Sequence, residues 1–471
     1  MFKNKFGKKL SLVAVMAAMA CCQSAFAETV SMDLQEAMYR AFNTNPAVEI
    51  AGYEMKSAKA GYDAARSSRF LSIGFTHSTG RGGSYNDQYV PAGGMALLPS
   101  GIAVQGIDLT KPGSYTRGIS NSHTNSFSAS LPIYTGGATK GRILQSKAGY
   151  QSAVAGQQAA WNEMRSTVTN GYFQVLQTEN MTKLSQEAVD RLTEHLKNVQ
   201  AQYDVGVVAK VDVLRSQVEL SNAEQDLIKA KNAYELAVAS LDRVVGLPMD
   251  TNLKLVNLLT YAAYDNDLNY CLSYAADHRP ELEQAKQRVK AAEGALLVAR
   301  SGYQPQVNAQ ARHNLGRNSN WPGDGKKDWS VGVSVSVNAF DSGVTYSRIH
   351  GAKEDLSKAK AQYRDAVDGI NLDVRSKYLS MREAEKRIHT ADVAVERAEE
   401  DYRIAQLRYQ AGVGTNTDVI DASVALTQAK TNYLQAMYDY NTSKTDLRTA
   451  IGEPMQFPVK VTVGAPNVEN K

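Results

Sequence analysis

The stretch YDVGVVAKVDVLRSQVEL (203–220) decides the fold, because it returns later in the chain as YQAGVGTNTDVIDASVAL (409–426). The two copies align without a gap at an offset of 206 residues, and the match continues as far as Pro248 and Pro454. A repeat of this length indicates a duplicated structural unit, so one copy describes the fold of both.

The first 27 residues have the pattern of a secretory signal peptide. Four lysines precede an apolar stretch from Leu10 to Ala20, and an A-x-A cleavage site ends at Ala27. Cys21 and Cys22 leave a lipoprotein as the alternative, but neither follows a leucine-small-small run. Cleavage after Ala27 leaves one cysteine in the mature chain, which excludes an intrachain disulfide.

The repeat predicts the domain organisation. The first structural repeat is expected at 28–248, an inter-repeat equatorial segment at 249–279, the second repeat at 280–454 and a C-terminal tail at 455–471. Upstream of the hairpin turns the offset changes to 234, so the first repeat holds 28 extra residues. They fall within 76–125, a stretch rich in Gly, Ser, Tyr and Asn, which predicts a long external loop.

Each repeat contains two segments in which apolar and polar residues alternate, the pattern of β-strands. The sharpest is 331–337, where four valines interleave with Gly and Ser, and the other three are 71–76, 126–133 and 303–311. A soluble sheet with one solvated face is one interpretation, and transmembrane barrel strands, apolar outside and polar inside with aromatics near their ends, are another. Because no apolar segment of about 20 residues remains in this secreted chain, the barrel is favoured.

Very long helices follow the strands, at about 138–203 and 344–409. Sixty-odd residues at a rise of about 1.5 Å would reach roughly 100 Å, beyond any ordinary globular domain. Each helix ends near a glycine, Gly206 or Gly412, and a second helix is expected to return from there. Their richness in Ala, Ser, Gln and Asn predicts close packing over small side chains, as in coiled coils.

Four strands cannot close a barrel, and an open sheet edge is not tolerated in hydrocarbon. The strands must therefore be completed by other chains. Bacterial outer-membrane barrels have an even number of strands from 8 upward, so two copies are the minimum and three copies give twelve.

With this arrangement the sequence resembles the TolC-type outer-membrane factors of Gram-negative bacteria. The resemblance rests on the duplicated order of helix, strand, loop, strand and long helical hairpin, on LPIYTGG (131–137), on Tyr-x-x-Gly-Val before each hairpin turn, and on DVIDA (418–422). It implies an α+β membrane protein with four strands per chain, a trimer with a twelve-stranded outer-membrane β-barrel, and a periplasmic barrel of long antiparallel helical hairpins.

The resemblance also implies a function. The protein would be the outer-membrane exit duct of a tripartite efflux or type I secretion system, conducting substrates passively to the exterior. Its partners would be two further copies of itself, a periplasmic adaptor (membrane fusion protein), an inner-membrane transporter of the RND, ABC or MFS type, and outer-membrane lipid. No cofactor and no nucleic acid are expected, and the net charge of +4 favours neither nucleic acid nor an acidic substrate.

Asp418 and Asp421 are the candidates for a channel constriction. They are three residues apart and so share one face of the returning helix. In a trimer this face would present six carboxylates in a ring that attracts cations. The alternative is helix capping, since an acid in a first turn is favoured by the helix dipole. Asp212 matches Asp418 in the first repeat, whereas Arg215 stands where the second has Asp421.

The family resemblance implies contacts that close the channel at the hairpin tips. These contacts link an aspartate of the first hairpin turn to a tyrosine and an arginine of the second, and Asp212 and Tyr409 match the first two positions. Gly414 stands in place of the arginine, so that salt bridge cannot form as in the family. Lys210 or Arg215 is the candidate substitute.

Two other classes of function fit the sequence less well. An enzyme is not expected, because the chain lacks H-E-x-x-H, a Walker loop and a nucleophile elbow. Its seven histidines do not cluster at metal-ligand spacing and are interpreted as ordinary surface or loop residues. A non-channel periplasmic coiled-coil chaperone or spacer would share the long helices but would have no need for alternating strands.

Overall fold

The computed structural model describes residues 29–90, 93–97, 103–107, 114–249, 251–256, 259–317 and 326–453. The expected signal peptide and C-terminal tail lie outside these residues. The described residues divide into two compact units, each built from both halves of the chain. The helical unit lies within 1–57, 151–286 and 361–471, and the sheet unit lies within 58–150 and 287–360.

The secondary structure follows the predicted order. The described strands are β1 Thr29–Met32, β2 Ser72–Val90, β3 Gly93–Leu97, β4 Ala103–Ile107, β5 Ser114–Tyr134, β6 Asn252–Leu255, β7 Gln306–Arg317 and β8 Lys326–Ser336. The described helices are α1 Leu34–Thr44, α2 Pro46–Ser67, α3 Ala138–Asp204, α4 Lys210–Val245, α5 Leu268–His278, α6 Pro280–Arg300, α7 Val344–Gln410 and α8 Asn416–Ala450.

The sheet unit contains one antiparallel four-stranded sheet in the order β2-β5-β7-β8. Alternation places apolar side chains on one face, where the β8 residues Val331, Val333 and Val335 are 74%, 63% and 65% exposed. An aromatic row crosses this face, with Phe75 paired to Phe127 at a ring-centroid distance of 4.8 Å. An exposed apolar face of this kind marks a surface that contacts lipid or another chain.

The opposite face of the sheet is hydrophilic and hydrogen-bonded from strand to strand. The Ser126 hydroxyl donates to the Asn314 side-chain oxygen at 2.6 Å, and the Asn314 amide donates to Asp328 at 3.0 Å. Gln310 donates to the Ser334 hydroxyl at 3.2 Å. The predicted four strands with one apolar and one polar face are thus confirmed.

The stretch 76–125, expected to be an external loop, is largely strand. β2 and β5 pair residue by residue from Ser72↔Ser130 to Asn86↔Thr116, far beyond the alternating segments seen in the sequence. β3 and β4 add a small hairpin between them. The sequence did not reveal these strands, because their Gly, Ser and Asn residues pair through the backbone and give no alternation of apolar side chains.

The two long hairpins match the prediction closely. α3 and α7 each have 67 residues, α4 returns with 36 and α8 with 35. α4 ends at Gly246, which has the left-handed conformation (φ 74°) typical of a helix C-terminus. Within the described residues, no helix is both long enough and apolar enough to cross a membrane.

Helices α3 and α6 approach each other at a pair of glycines. A Cβ atom added to Gly141 would lie 2.6 Å from the carbonyl oxygen of Gly294, and one added to Gly294 would lie 2.8 Å from that of Gly141. Backbone therefore packs on backbone here, which confirms the expected close packing over small residues.

The helical unit contains two secondary-structure elements that the sequence did not predict, β6 and α5. The segment 249–279, expected to be a linker, contains β6 and α5, and β6 pairs in parallel with β1 from Thr29↔Asn252 to Met32↔Leu255. The buried Tyr172 of α3 donates to the carbonyl of Val256 at 2.8 Å and so fixes this small sheet to the hairpin. Short strands with four residues each give too little alternation to be found in a sequence.

Candidate functional site

The two hairpin turns, where the family resemblance places the closed end of the channel, have the same geometry. The amide of Gly206 donates to the carbonyl of Tyr203 at 2.8 Å, and that of Gly412 donates to Tyr409 at 3.0 Å. Both glycines are left-handed, with φ of 81° and 73°. A left-handed residue at each helix end lets the chain reverse at once, which is why the repeat keeps glycine there.

A small apolar cluster, separate from the main core, joins the two hairpins close to these turns. Its buried members are Val199, Val213, Ala405, Tyr409, Val419 and Ala422. They come from all four long helices, so the tip has its own packed interior. Of the predicted gate residues, Tyr409 belongs to the cluster, and Asp212 and Asp418 each adjoin one of its members, Val213 and Val419.

Asp212 and Tyr409 lie at this cluster, but no hydrogen bond joins their side chains. Tyr409 is 7% exposed, and its hydroxyl has no hydrogen-bond partner among the described residues. Burial, with a smaller contribution from the Asp212 carboxylate, raises the pKa of Tyr409. Asp212 makes its contact through the backbone, where its carbonyl accepts from the Asn416 amide at 3.0 Å.

Arg215 links the hairpins directly. Its guanidinium donates to the Thr417 hydroxyl at 3.0 Å, from α4 to the first turn of α8. A side chain at Gly414 would meet the second turn itself, since a Cβ atom there would lie 3.0 Å from the backbone nitrogen of Tyr409. A side chain at position 414 would therefore crowd the turn. The cation that reaches the junction is Arg215 of the other hairpin.

Asp418 and Asp421 are both exposed on α8, and their surroundings differ. The Asp418 carboxylate accepts from the Thr415 amide at 2.9 Å while the Thr415 hydroxyl accepts from the Asp418 amide at 3.1 Å, a capping box. These hydrogen bonds lower the pKa of Asp418. Asp421 makes no hydrogen bond or ion pair within the described residues.

A buried polar network at the same tip was missed by the sequence analysis. Asn416 is 4% exposed, and its side-chain oxygen accepts from His195 Nε2 at 2.6 Å and faces the Ser216 hydroxyl at 3.2 Å. His195 is 6% exposed, so its interpretation as a surface residue was wrong. The available signal was its helical spacing with Leu192 and Val199, which places it on an apolar stripe.

Comparison with known proteins identifies the chain. The model of the family described as "Outer membrane efflux protein" matches residues 37–247 and 271–453, which cover both repeats and their long hairpins. The chain belongs to this family. It is an outer-membrane channel that extends into the periplasm and serves as an exit duct, which sets aside the non-channel periplasmic spacer.

Curated relatives of this outer membrane efflux protein are distant in sequence. Outer membrane protein TolC of Vibrio cholerae is 24% identical over 60% of this chain and 66% of its own length. TolC of Escherichia coli is 23% identical over 74% of this chain and 73% of its own. The chain thus spans about two thirds to three quarters of these relatives. Alkaline protease secretion protein AprF of Pseudomonas aeruginosa is also 23% identical, over 62% and 61%.

Solved structures show the same fold at still lower identity. The outer-membrane channel OprN is 18% identical, covers 89% of both chains and gives a TM-score of 0.74. The Campylobacter jejuni CmeC channel is 17% identical, covers 90% of this chain and 87% of its own, and gives 0.75. These similar proteins are channels. The described residues contain no group of three or more metal-ligating side chains.

Proposed function

We propose that three copies of this chain form the duct, with twelve strands closed into one outer-membrane barrel and six long hairpins enclosing a periplasmic channel. The observation that carries this proposal is the strand order β2-β5-β7-β8, which leaves β2 and β8 as unpaired edges. Unpaired edges are costly in hydrocarbon and are removed when each β8 pairs with the β2 of the next copy.

The two repeats support the same assembly, because matched positions differ in burial. Leu426 and Tyr440 of α8 are buried, at 4% and 0% exposure, whereas their counterparts Leu220 and Tyr234 of α4 are only partly buried. Within one chain α8 is therefore covered more fully than α4. A neighbouring copy packed on α4 would cover the remaining surface and make the two repeats equivalent.

The assembly can be tested directly. Protein extracted from outer membranes in mild detergent is expected to give the mass of a trimer by native mass spectrometry and to conduct ions in a planar bilayer. A monomer that conducts nothing would contradict the proposal. N-terminal sequencing of the same sample should begin at Glu28 if 1–27 is the signal peptide. The mature chain would then consist of the repeats 28–248 and 280–454, the connecting segment 249–279 and the tail 455–471.

We further propose that the hairpin tips form the gate, with Asp418 and Asp421 lining its constriction and Asp212, Tyr409 and Arg215 holding the hairpins closed. The direct link from Arg215 to Thr417 supports this role. The partners would be a periplasmic adaptor and an inner-membrane transporter of the RND, ABC or MFS type. Cross-linking in cells that express candidate transporters one at a time would identify the pair and so distinguish efflux from type I secretion.

A further inference from the structure

Asn416 is the centre of a hydrogen-bond network that connects three of the four long helices at the tip. Its side-chain amide donates to the Asp212 carbonyl of α4. Its oxygen contacts His195 of α3 and Ser216 of α4. We call these residues, Asn416, His195 and Ser216 with the Asp212 carbonyl, the Asn416 network. The fourth helix, α7, contributes Tyr409, whose ring lies 5.3 Å from that of His195.

The network fixes where the hydrogens of Asn416 and His195 lie. A backbone carbonyl only accepts, so the group of Asn416 that faces the Asp212 carbonyl must be its NH2. The side-chain oxygen of Asn416 then faces His195, and His195 must carry a hydrogen on Nε2. The neutral imidazole has one such hydrogen, so a further proton can be taken up only at Nδ1.

His195 has little compensation for a positive charge at this position. Its neighbours at the tip are Ser216 and the Asp212 carbonyl on α4, Tyr409 on α7, and Asn416 on α8. The titratable and charged groups around these neighbours are Arg191 and Glu194 on its own helix, Asp212 and Arg215 on α4, Tyr402, Arg408 and Tyr409 on α7, and Asp418 on α8. None of these makes a salt bridge to His195 among the described residues.

The repeat shows that the Asn416 network occurs once per chain. At an offset of 206, Asn416 corresponds to Lys210 and His195 to Asp401, and both counterparts are exposed. Ser216 corresponds to Ala422, which cannot donate a hydrogen bond. The network therefore does not come with the duplicated fold, and it marks the junction between the two hairpins of a single chain.

We propose that the Asn416 network is a latch that holds the two hairpins of each chain together in the closed gate, and that proton uptake by His195 releases it. This inference rests on the proposed gate at the hairpin tips. Asn416 and Ser216 act as positioning residues, since they hold the helices that carry the gate rather than touch what passes through.

The direction of the pH effect follows from burial. Burial lowers the pKa of His195 below its ordinary value of 6.5, and the hydrogen bond with Asn416 opposes this only in part. When the hairpins separate, His195 meets water and its pKa returns to the ordinary value. The closed gate is therefore fully stable above about pH 6.5 and loses stability as the pH falls from there toward the lowered pKa, by up to tenfold in the closed-to-open ratio per pH unit.

Single-channel recording in planar bilayers tests the latch. Conductance or open probability of the unaltered protein is expected to rise several-fold between pH 7.5 and pH 5.5. His195→Gln keeps a donor for Asn416 but has no proton to gain, so its conductance should stay low across this range. His389→Gln, which changes an exposed histidine of α7, is the matched control and should keep the full response.

A second set of variants tests the latch without a change of pH. Asn416→Ala should raise conductance at both pH values. Ser216→Ala should raise it by a smaller factor and keep the fold, because the matched position of α8 is already Ala422. Heat-modifiable migration on gels, which reports the trimer, checks the assembly of each variant.

The outcomes separate this inference from the proposed function. A full pH response in His195→Gln overturns the role of His195, and unaltered conductance in both Asn416→Ala and Ser216→Ala overturns the latch. If the unaltered protein conducts equally at the two pH values, release of the latch by proton uptake is also overturned. A protein that conducts under no condition refutes the proposed duct itself.

Discussion

Thr415 and Asp418 form a reciprocal pair of hydrogen bonds at the start of α8, and their counterparts at the start of α4 do not. Asp418 has the counterpart Asp212, but Thr415 is replaced by Ala209, which caps nothing. The two aspartates therefore differ in role despite matching in the repeat. Asp418 is tied to its own helix, whereas the Asp212 carboxylate acts on Tyr409 of the other hairpin.

This difference predicts opposite effects of two substitutions. Thr415→Ala removes a cap and should lower the free energy of unfolding by about 1 kcal/mol, whereas Ala209→Thr should build a capping box with Asp212 and raise it. Thermal unfolding of the detergent-solubilised protein measures both. An Ala209→Thr variant no more stable than the parent would contradict this account.

The capping box of Asp418 also predicts a dependence on pH. Because the folded-state pKa of Asp418 is lowered, its stabilisation is present above pH 3.8 and lost as the pH falls through the lowered pKa.

The proposed constriction at Asp418 and Asp421 predicts ion selectivity. Asp421→Asn should reduce the preference for cations, because it removes one exposed carboxylate per chain and disturbs no hydrogen bond among the described residues. Asp421→Glu keeps the charge and should keep the preference. Reversal potentials across a salt gradient measure the ratio of cation to anion permeability. An unchanged ratio in Asp421→Asn would place this residue away from the pore.

The Arg215–Thr417 contact predicts a coupled effect on the proposed gate. Arg215→Ala and Thr417→Val each remove the same hydrogen bond, so each should raise conductance, and the double variant should add little to either. A double-mutant cycle of single-channel conductance gives the coupling. Fully additive effects would show that the two residues act on the gate separately.

The sequence predicted the parts of the fold that repeat or have a regular period. The long hairpins, their glycine turns and the four alternating strands were confirmed because duplication and periodicity both mark them. β6 was missed because a four-residue strand gives little alternation. α5 was missed because the second repeat was expected to begin at 280, although α5 is the counterpart of α1 at the offset of 234 and both helices have 11 residues and an aspartate N-cap.

At the tip, the sequence located the right turns but could not show which atoms meet. Asp212 was singled out for its carboxylate, and its contact with Asn416 is made by its backbone carbonyl, which every residue has. The buried state of His195 depends on helices from both repeats coming together, and no local pattern contains that information. The aspartates of the proposed ring and their gate contacts stay predictions.

The close approach of α3 and α6 at Gly294 can be tested by adding a side chain there. Gly294→Val should destabilise the protein by about 1–3 kcal/mol, because its Cβ would lie 2.8 Å from the Gly141 carbonyl oxygen and 2.8 Å from the Gln145 side chain. Gly149→Ala on α3 is the matched control, with no heavy atom within 4 Å of the added carbon. It should be neutral or stabilise by up to about 1 kcal/mol, since alanine favours a helix. Thermal unfolding of both variants distinguishes crowding from helix propensity.

Two neighbouring residues of β8 test which face of the sheet contacts lipid. Val333 lies in the exposed apolar band, and Ser334 lies on the hydrophilic face beside Gln310. Val333→Arg would place a charge toward hydrocarbon and should cost about 2–4 kcal/mol at the middle of the bilayer, so less trimer should reach the outer membrane. Ser334→Arg adds the same charge one residue away, toward the channel, and should leave assembly intact while altering conductance. Heat-modifiable trimer in outer-membrane fractions measures assembly, and equal loss in both variants would show that the apolar face is not the lipid-facing one.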